Sequence, residues 1–309
     1  MLTFIVNPNA GGERGYRIWK RLERRLIKKN IAYQVYLTSG RGEARELSAQ
    51  LSAAQAETDT ILVVVGGDGT FNEVLDGARL SEHLVLGFIP IGRESDLARG
   101  LRLPHSPEQC LRRILSPREI RQIDYGIAAF GAEGPEHRRF AVSSGCGFDA
   151  LLAESLRALS LRRCICGPIR RRLVRAEAAL RCLLHAQTSK GYLLLDGERR
   201  VELNHIFLLS AQLQPTEVGG IRLAGGTAGV DGLLTVCILH TRSRLQQAKA
   251  LLFSGRFGVS RPAGVRIYRC REARIVLENA LPFHADGEAL EAQREFAVRC
   301  VKQKLKMLC

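Results

Sequence analysis

No run of 18 consecutive apolar residues occurs in the 309-residue chain, so a membrane-spanning helix is not expected. None of the nine cysteines belongs to a C-x-x-C pair. Cys164 and Cys166 stand two apart, and no histidine sits beside them at metal-ligand spacing. The thiols therefore read as reduced, mostly buried side chains of a cytosolic protein and not as a zinc site. The opening MLTFIVNPNAGG is interrupted by Pro8 and Gly11 too soon for a signal peptide. Internal repeats, low-complexity linkers, the Walker pattern G-x-x-x-x-G-K-[ST] and the pattern G-x-G-x-x-G are all missing. Acidic residues are in short supply, 31 against 46 Lys plus Arg, which leaves a net charge of +15. That balance favours an anionic partner: nucleic acid, anionic lipid headgroups or a polyphosphate.

What is present is ordinary in bulk, with 46% hydrophobic and 25% charged residues and length enough for two domains. Residues 1–125 alternate short apolar runs with helical patterns. Strands are expected at 2–6, 32–37, 61–65 and 85–91. Helices are expected at 16–29, at 42–56, from about 71, and as a short turn at 95–100. Strand, helix, strand at these lengths means βαβ units and a parallel sheet covered on both faces, with ligands at the carboxyl ends of the strands. From about 125 the texture becomes short strands joined by Gly-, Pro- or charge-bearing turns: 140–144, 191–195, 206–210, 233–239, 265–269, 274–277 and 296–301. A mainly antiparallel β domain is expected there, interrupted by one helical stretch at 149–185.

The segment ILVVVGGDGTFNEVLDG, residues 61–77, carries the first chemistry. Gly66, Gly67 and Gly69 let the backbone turn sharply and approach a ligand. Successive N–H groups and the following helix N-terminus make an anion cradle, and Thr70 adds a hydroxyl. A plain strand-to-helix turn capped by Asp or Thr would use the same residues. A carboxylate at a polyphosphate site needs a reason, so Asp68 implies a metal ion or an alcohol nearby.

This segment is similar to the G-G-D-G-T-x-N-E-V-x-x-G signature of the diacylglycerol kinase catalytic domain family. The family includes bacterial lipid kinases and sphingosine kinases, with NAD kinase and 6-phosphofructokinase as distant relatives. Further segments match in order: FIVNPNAGG at 4–12, GFIPIGRESDLARGL at 87–101, IDYG at 123–126, SSGCGFDA at 143–150, VDGLLTV at 230–236 and HADGEAL at 284–290. The resemblance spans nearly the whole chain. It implies an α/β nucleotide-binding domain with a parallel sheet at 1–125 and a mainly antiparallel β-sandwich domain for the lipid substrate at 126–309, NAD kinase/diacylglycerol kinase-like. The extreme C-terminus would pack back on the first domain.

The resemblance also implies roles. Asn7, Thr38, Gly66, Gly67, Asp68, Gly69, Thr70, Asn72 and Glu73 would bind ATP, with Arg93 and Asp96 from the fourth-strand loop. Asp68 would join the Mg²⁺ network and Asp124 would support it. Asp231, with the backbone carbonyls of Ala228 and Leu233, would hold a structural metal ion. Glu288 would be the general base that takes the proton of a lipid hydroxyl. Asp286-Gly287-Glu288 has a twin, Asp196-Gly197-Glu198, read as a plain turn; the tripeptide alone does not separate the two. The pattern P-x-G-[ST]-x-N-D-[FL]-A-R becomes Pro90-Ile91-Gly92-Arg93-Glu94-Ser95-Asp96-Leu97-Ala98-Arg99 here. Val230 and Ser210-Ala211 also depart from the family's polar residues.

Seven arginines lie between Glu154 and Glu177 with no acid among them: Arg157, Arg162, Arg163, Arg170, Arg171, Arg172 and Arg175. Apolar residues interleave them, so the segment reads either as a solvated helical face or as a surface for anionic lipid. No aromatic residue interleaves the arginines, so nucleic acid is not expected. The resulting expectation is an ATP- and Mg²⁺-dependent kinase of diacylglycerol or a related long-chain alcohol, cytoplasmic and peripheral at the inner face of the membrane. A homodimer is a further possibility. The alternatives are a catalytically impaired nucleotide- or lipid-binding homologue and an NAD kinase-like enzyme.

Overall fold

Val63, Val64 and Val65 are buried on both faces of a strand, which happens only where helices cover both sides of a sheet. In the computed structural model this is β3 (Thr60–Gly66). It lies between β1 (Leu2–Val6) and β4 (Leu84–Pro90), with β2 (Tyr33–Leu37) beyond β1, all parallel. The sheet continues through β15 (Leu305–Leu308), parallel to β4, to β5 (Ile120–Ile123), antiparallel to β15. The structure describes residues 2–54, 57–91, 95–131, 136–160, 168–215, 229–252 and 263–308, without the side chains of 160, 168, 169 and 171. The chain divides into two units, residues 1–123 with 303–309, and residues 124–302.

In the first unit, α2 (Gly15–Lys28) buries Trp19, Leu22 and Leu26 and leaves its basic residues outside. Trp19 meets Phe4 of β1 with ring centroids 5.0 Å apart. α6 (Pro107–Leu115) lies on the same face, where Ile114 packs over Gly87. α3 (Glu43–Ala54) and α4 (Asp68–Gly77) pair with each other. They approach closely because Gly77 has no side chain: a Cβ there would stand 2.1 Å from the Arg45 carbonyl. α1 (Ala10–Glu13) is an irregular turn with Gly11 and Gly12 left-handed, and α5 (Asp96–Gly100) is one short helix.

The second unit contains β6 (Gly126–Phe130), β7 (Glu136–Phe140), β8 (Ser143–Gly147), β9 (Ser189–Leu195), β10 (Arg199–Gln212), β11 (Leu234–His240), β12 (Val265–Cys270), β13 (Glu272–Ala285) and β14 (Glu288–Cys300). All pairings are antiparallel, in the order β12-β11-β10-β8-β13-β14-β6-β7. β9 pairs with both β10 and β13. The long strands β10 and β13 thus meet β8 along one half and β9 along the other, which folds the sheet into a sandwich around Phe130, Leu209, Ile275, Phe283 and Phe296. α7 (Phe148–Ser160), α8 (Pro168–His185) and α9 (Arg244–Leu252) complete it.

Several expectations need correction. The helix expected from about 71 starts at Asp68, since Gly67 is already its extended cap residue. The stretch 149–185 holds two helices, α7 and α8. The strand expected at 140–144 is broken: β7 ends at Phe140 and β8 begins at Ser143. The cause is a carboxylate. The backbone N–H groups of Ala141, Val142 and Ser143 donate to Asp286, at 2.7 to 3.0 Å.

Candidate active site

In the first unit the residues expected to bind nucleotide gather at the carboxyl ends of β1, β2, β3 and β4. Asn7 follows β1, its N–H donating to the Val65 carbonyl at 2.9 Å. Its side-chain amide donates to the Thr70 hydroxyl at 3.0 Å, tying the first loop to the glycine loop. Thr38 follows β2, buried, with its N–H on the Val6 carbonyl at 2.9 Å. Asn72 is buried and Glu73 half-buried in α4.

The three loop glycines differ in their reason for being glycine. A Cβ on Gly66 would stand 2.8 Å from both Cβ and Oγ1 of Thr70, so this position serves packing. A Cβ on Gly67 or Gly69 would meet nothing within 4 Å. Those two positions keep open the space above the first turn of α4, whose N-cap residue Gly67 has no side chain to cap it. Open space and a positive helix end suit the phosphates of a nucleotide.

Asp68 lies inside the first turn of α4. One carboxylate oxygen accepts from the Ser95 hydroxyl, and the other from the Asp96 N–H at 2.7 Å. Ser95 in turn caps α5, its oxygen accepting from Ala98 N–H at 2.9 Å. The residue that departs from the family pattern therefore links the glycine loop to the fourth-strand loop. Asp96 pairs with Arg99 at 2.5 Å. Arg93, with Gly92 and Glu94, lies outside the described residues. Magnesium that arrives on a polyphosphate needs few protein ligands, and Asp68 is a hard oxygen donor at the loop; the residues fit nucleotide and magnesium together.

In the second unit, both carboxylate oxygens of Asp231 have protein partners. One of its carboxylate oxygens is paired with the Arg269 guanidinium, and the other accepts from Leu233 N–H at 3.1 Å. Arg269 is thus the cation paired with this carboxylate, and Ala228, one of the three expected ligands, lies outside the described residues. Among the described residues, no group of three metal-ligating side chains could hold an ion. Asp124 is fully buried and holds the same turn: its carboxylate accepts from Gly232 N–H at 2.8 Å, and its own N–H donates to the Gly229 carbonyl at 2.8 Å.

Glu288 opens β14 directly after a two-residue turn and pairs with Ala285 of β13. Asp286 and Gly287 have φ of +47° and +78°, the backbone of a type I′ hairpin. Asp286 spends its carboxylate on the three amides of 141–143, so its role is to anchor the hairpin to the β7–β8 connection. Behind the turn lie two residues that were not singled out from the sequence. His284 Nδ1 accepts from Gly287 N–H at 3.2 Å, and His284 Nε2 lies 3.0 Å from Asp149 of α7. The available signal was at 284: the twin tripeptide has Leu194 at the corresponding place.

Of the basic segment, Arg157, Arg170 and Arg172 are exposed and Arg175 is half-buried. Leu173, Leu180 and Leu184 share a face of α8 and are 55 to 65% exposed. Arg162 and Arg163 lie outside the described residues, as does the side chain of Arg171. No helix among the described residues is long and apolar enough to cross a membrane.

Comparison with known proteins agrees with this fold. The model of the diacylglycerol kinase catalytic domain matches residues 1–128, and that of the YegS C-terminal NAD kinase beta sandwich-like domain matches 143–309. The "Putative lipid kinase YtlR" of Bacillus subtilis is 27% identical over 93% of both chains. The "Probable lipid kinase YegS-like" protein of Chromohalobacter salexigens is 31% identical over 74% of this chain and 69% of its own. A crystal structure of a diacylglycerol kinase from Bacillus anthracis superposes with a TM-score of 0.72 at 18% identity, covering 99% of this chain and 96% of that one. An ATP complex of an Archaeoglobus fulgidus NAD kinase shares the fold more distantly, at 16% identity and a TM-score of 0.52 over 100% of this chain and 94% of its own. The chain belongs to the lipid kinase family defined by the diacylglycerol kinase catalytic domain and the YegS-type β-sandwich domain.

Proposed function

We propose that this lipid kinase uses ATP with magnesium to phosphorylate the hydroxyl of diacylglycerol or a related long-chain alcohol. The observation that carries the reading is the loop at 66–70, where Gly67 and Gly69 leave open the space in front of the α4 N-terminus. The α4 amides and the Thr70 hydroxyl face the phosphates. Bound magnesium would neutralise charge on the phosphoryl oxygens, with Asp68 as its carboxylate from the chain. Glu288 takes the proton from the lipid hydroxyl as the hydroxyl oxygen bonds to the γ-phosphorus. The bond from that phosphorus to its bridging oxygen breaks, leaving ADP. The exposed Arg157, Arg170 and Arg172, with the exposed Leu173, Leu180 and Leu184 of α8, support docking on an anionic bilayer.

Labelled ATP offered with diacylglycerol, with mixed lipid extract and with NAD tests the reading. Incorporation into a lipid is expected, and Asp68→Asn and Glu288→Gln should each lower it at least about 100-fold in folded protein. Unchanged activity in both variants, or transfer to NAD alone, overturns it. Vesicle flotation with and without anionic lipid, at low and high salt, tests the docking surface; equal binding to neutral vesicles removes the electrostatic part.

A further inference from the structure

Both amides of the Asp286–Gly287 turn are occupied. Asp286 N–H donates to the Ser143 carbonyl at 2.8 Å, and Gly287 N–H donates to His284 Nδ1 at 3.2 Å. A backbone N–H can only donate, so Nδ1 is an acceptor and a neutral ring carries its proton on Nε2. Nε2 lies 3.0 Å from Asp149 Oδ2, which accepts that proton, while Asp149 Oδ1 accepts from Ala150 N–H at 2.9 Å. Each oxygen of Asp149 thus meets a donor, and both side chains are fully buried. Gly145 makes room for the pair, since a Cβ there would stand 2.7 Å from Asp149 Oδ2. The Cys146 thiol beside it is pushed well above its ordinary pKa, by burial first and by the Asp149 charge second.

A chain of bonds therefore runs from α7 through β13 to the residue preceding Glu288. We propose that Asp149 fixes the Nε2–H tautomer of His284, and that His284 thereby positions the Asp286–Gly287 turn and Glu288. Both are positioning residues that act through Gly287. This rests on the reading of Glu288 as the base. A carboxylate at 149 serves better than an amide because Asn would turn an NH₂ toward either Ala150 N–H or His284 Nε2. In the second case the imidazole has to move its proton to Nδ1, and the acceptor for Gly287 is lost.

The test compares the full-length chain with Asp149→Asn, His284→Asn and His284→Gln, each checked for cooperative melting. The readouts are the ¹⁵N shifts of the His284 ring, the hydrogen-exchange rate of the Gly287 amide, and kcat and KM for lipid phosphorylation. The wild type should show a protonated Nε2. Asp149→Asn should move the proton to Nδ1, speed Gly287 exchange at least about tenfold, and lower kcat about 10- to 100-fold with KM for ATP unchanged. Asn at 284 keeps an acceptor at the place of Nδ1 and should hold Gly287 exchange near wild type. Gln reaches to the place of Nε2 and should not.

A wild-type ring protonated on Nδ1, or Gly287 exchange insensitive to Asp149→Asn, overturns the proposal. If that variant fails to fold, equal exchange in His284→Asn and His284→Gln overturns it instead. Should Glu288→Gln retain wild-type kcat, the base reading fails, while ring shifts and exchange still decide the tautomer.

Discussion

The chain writes Asp-Gly-Glu twice, and the two copies make the same hairpin with different surroundings. Asp196 and Gly197 have φ of +51° and +73°, within 5° of Asp286 and Gly287. Each aspartate carboxylate accepts backbone N–H groups, from Arg271 and Glu272 for Asp196 and from 141–143 for Asp286. There the likeness ends. Glu198 is exposed and Leu194 stands behind its turn; Glu288 is half-buried and the buried His284–Asp149 pair stands behind its own. A tripeptide sets the turn, and the residue two places before it sets what the turn can be used for.

The sharpest way to break the comparison is to remove each glutamate. Glu288→Gln should lower lipid phosphorylation by about 10²- to 10⁴-fold, whereas Glu198→Gln should stay within about twofold; equal effects in a steady-state assay would end the distinction. Next come the glycines. Gly145→Ala would drive a Cβ to 2.2 Å from the Leu209 carbonyl and onto Asp149, and should cost about 3 kcal/mol in urea unfolding. Gly197→Ala meets nothing within 4 Å and should cost about 1 kcal/mol from its positive φ alone.

The aspartates should differ less. Asp286→Ala strands three amides and should cost about 2–3 kcal/mol, with Asp196→Ala costing less because its hairpin is exposed. Thermal melts of the pair measure this. The smallest effect concerns the Cys270 thiol near the Asp196 hairpin. Burial, then Asp196 and Glu272, push Cys270 up to about 12. An unfolded thiol ionises near about 8.5. Above that pH the unfolded state has released a proton that the folded state keeps, so stability falls as pH rises toward about 12. Cys270→Ala should lose less stability than wild type between about pH 8 and about pH 10.5 in urea melts.

The parallel sheet and the loop at 66–70 were legible because each signal is local: a β-branched run, glycines, then a helical pattern. Much of the second unit was not. β10, β13 and β14 run 13 to 14 residues, against the four to six expected. Their outward positions carry charge, as in Glu272 and Arg274, and so look like turns while the inward Ala273, Ile275 and Leu277 keep the strand period. The support of Glu288 was hidden for another reason. Asp149 and His284 are 135 positions apart and only pairing among β8, β10 and β13 joins their neighbourhoods. The partner of Asp231 was not legible because a carboxylate fits a metal ion or an arginine equally, and Arg269 is 38 positions away. Ser95, a departure in the family pattern, is explained once its hydroxyl is seen to cap α5 and bind Asp68.

β15 sets a schedule for folding. Its four residues sit between β4 and β5 in the sheet, yet they come about 180 residues after β5 in the chain. During synthesis β1 to β5 leave the ribosome with that slot empty, while every strand of the second unit has already emerged. Loop closure over so long a span is slow relative to local pairing, so the second unit can be complete before the first sheet closes. The glycine loop at 66–70 therefore belongs to the part of the protein that is finished last, and a nascent chain has no closed first sheet until residues 305–308 arrive.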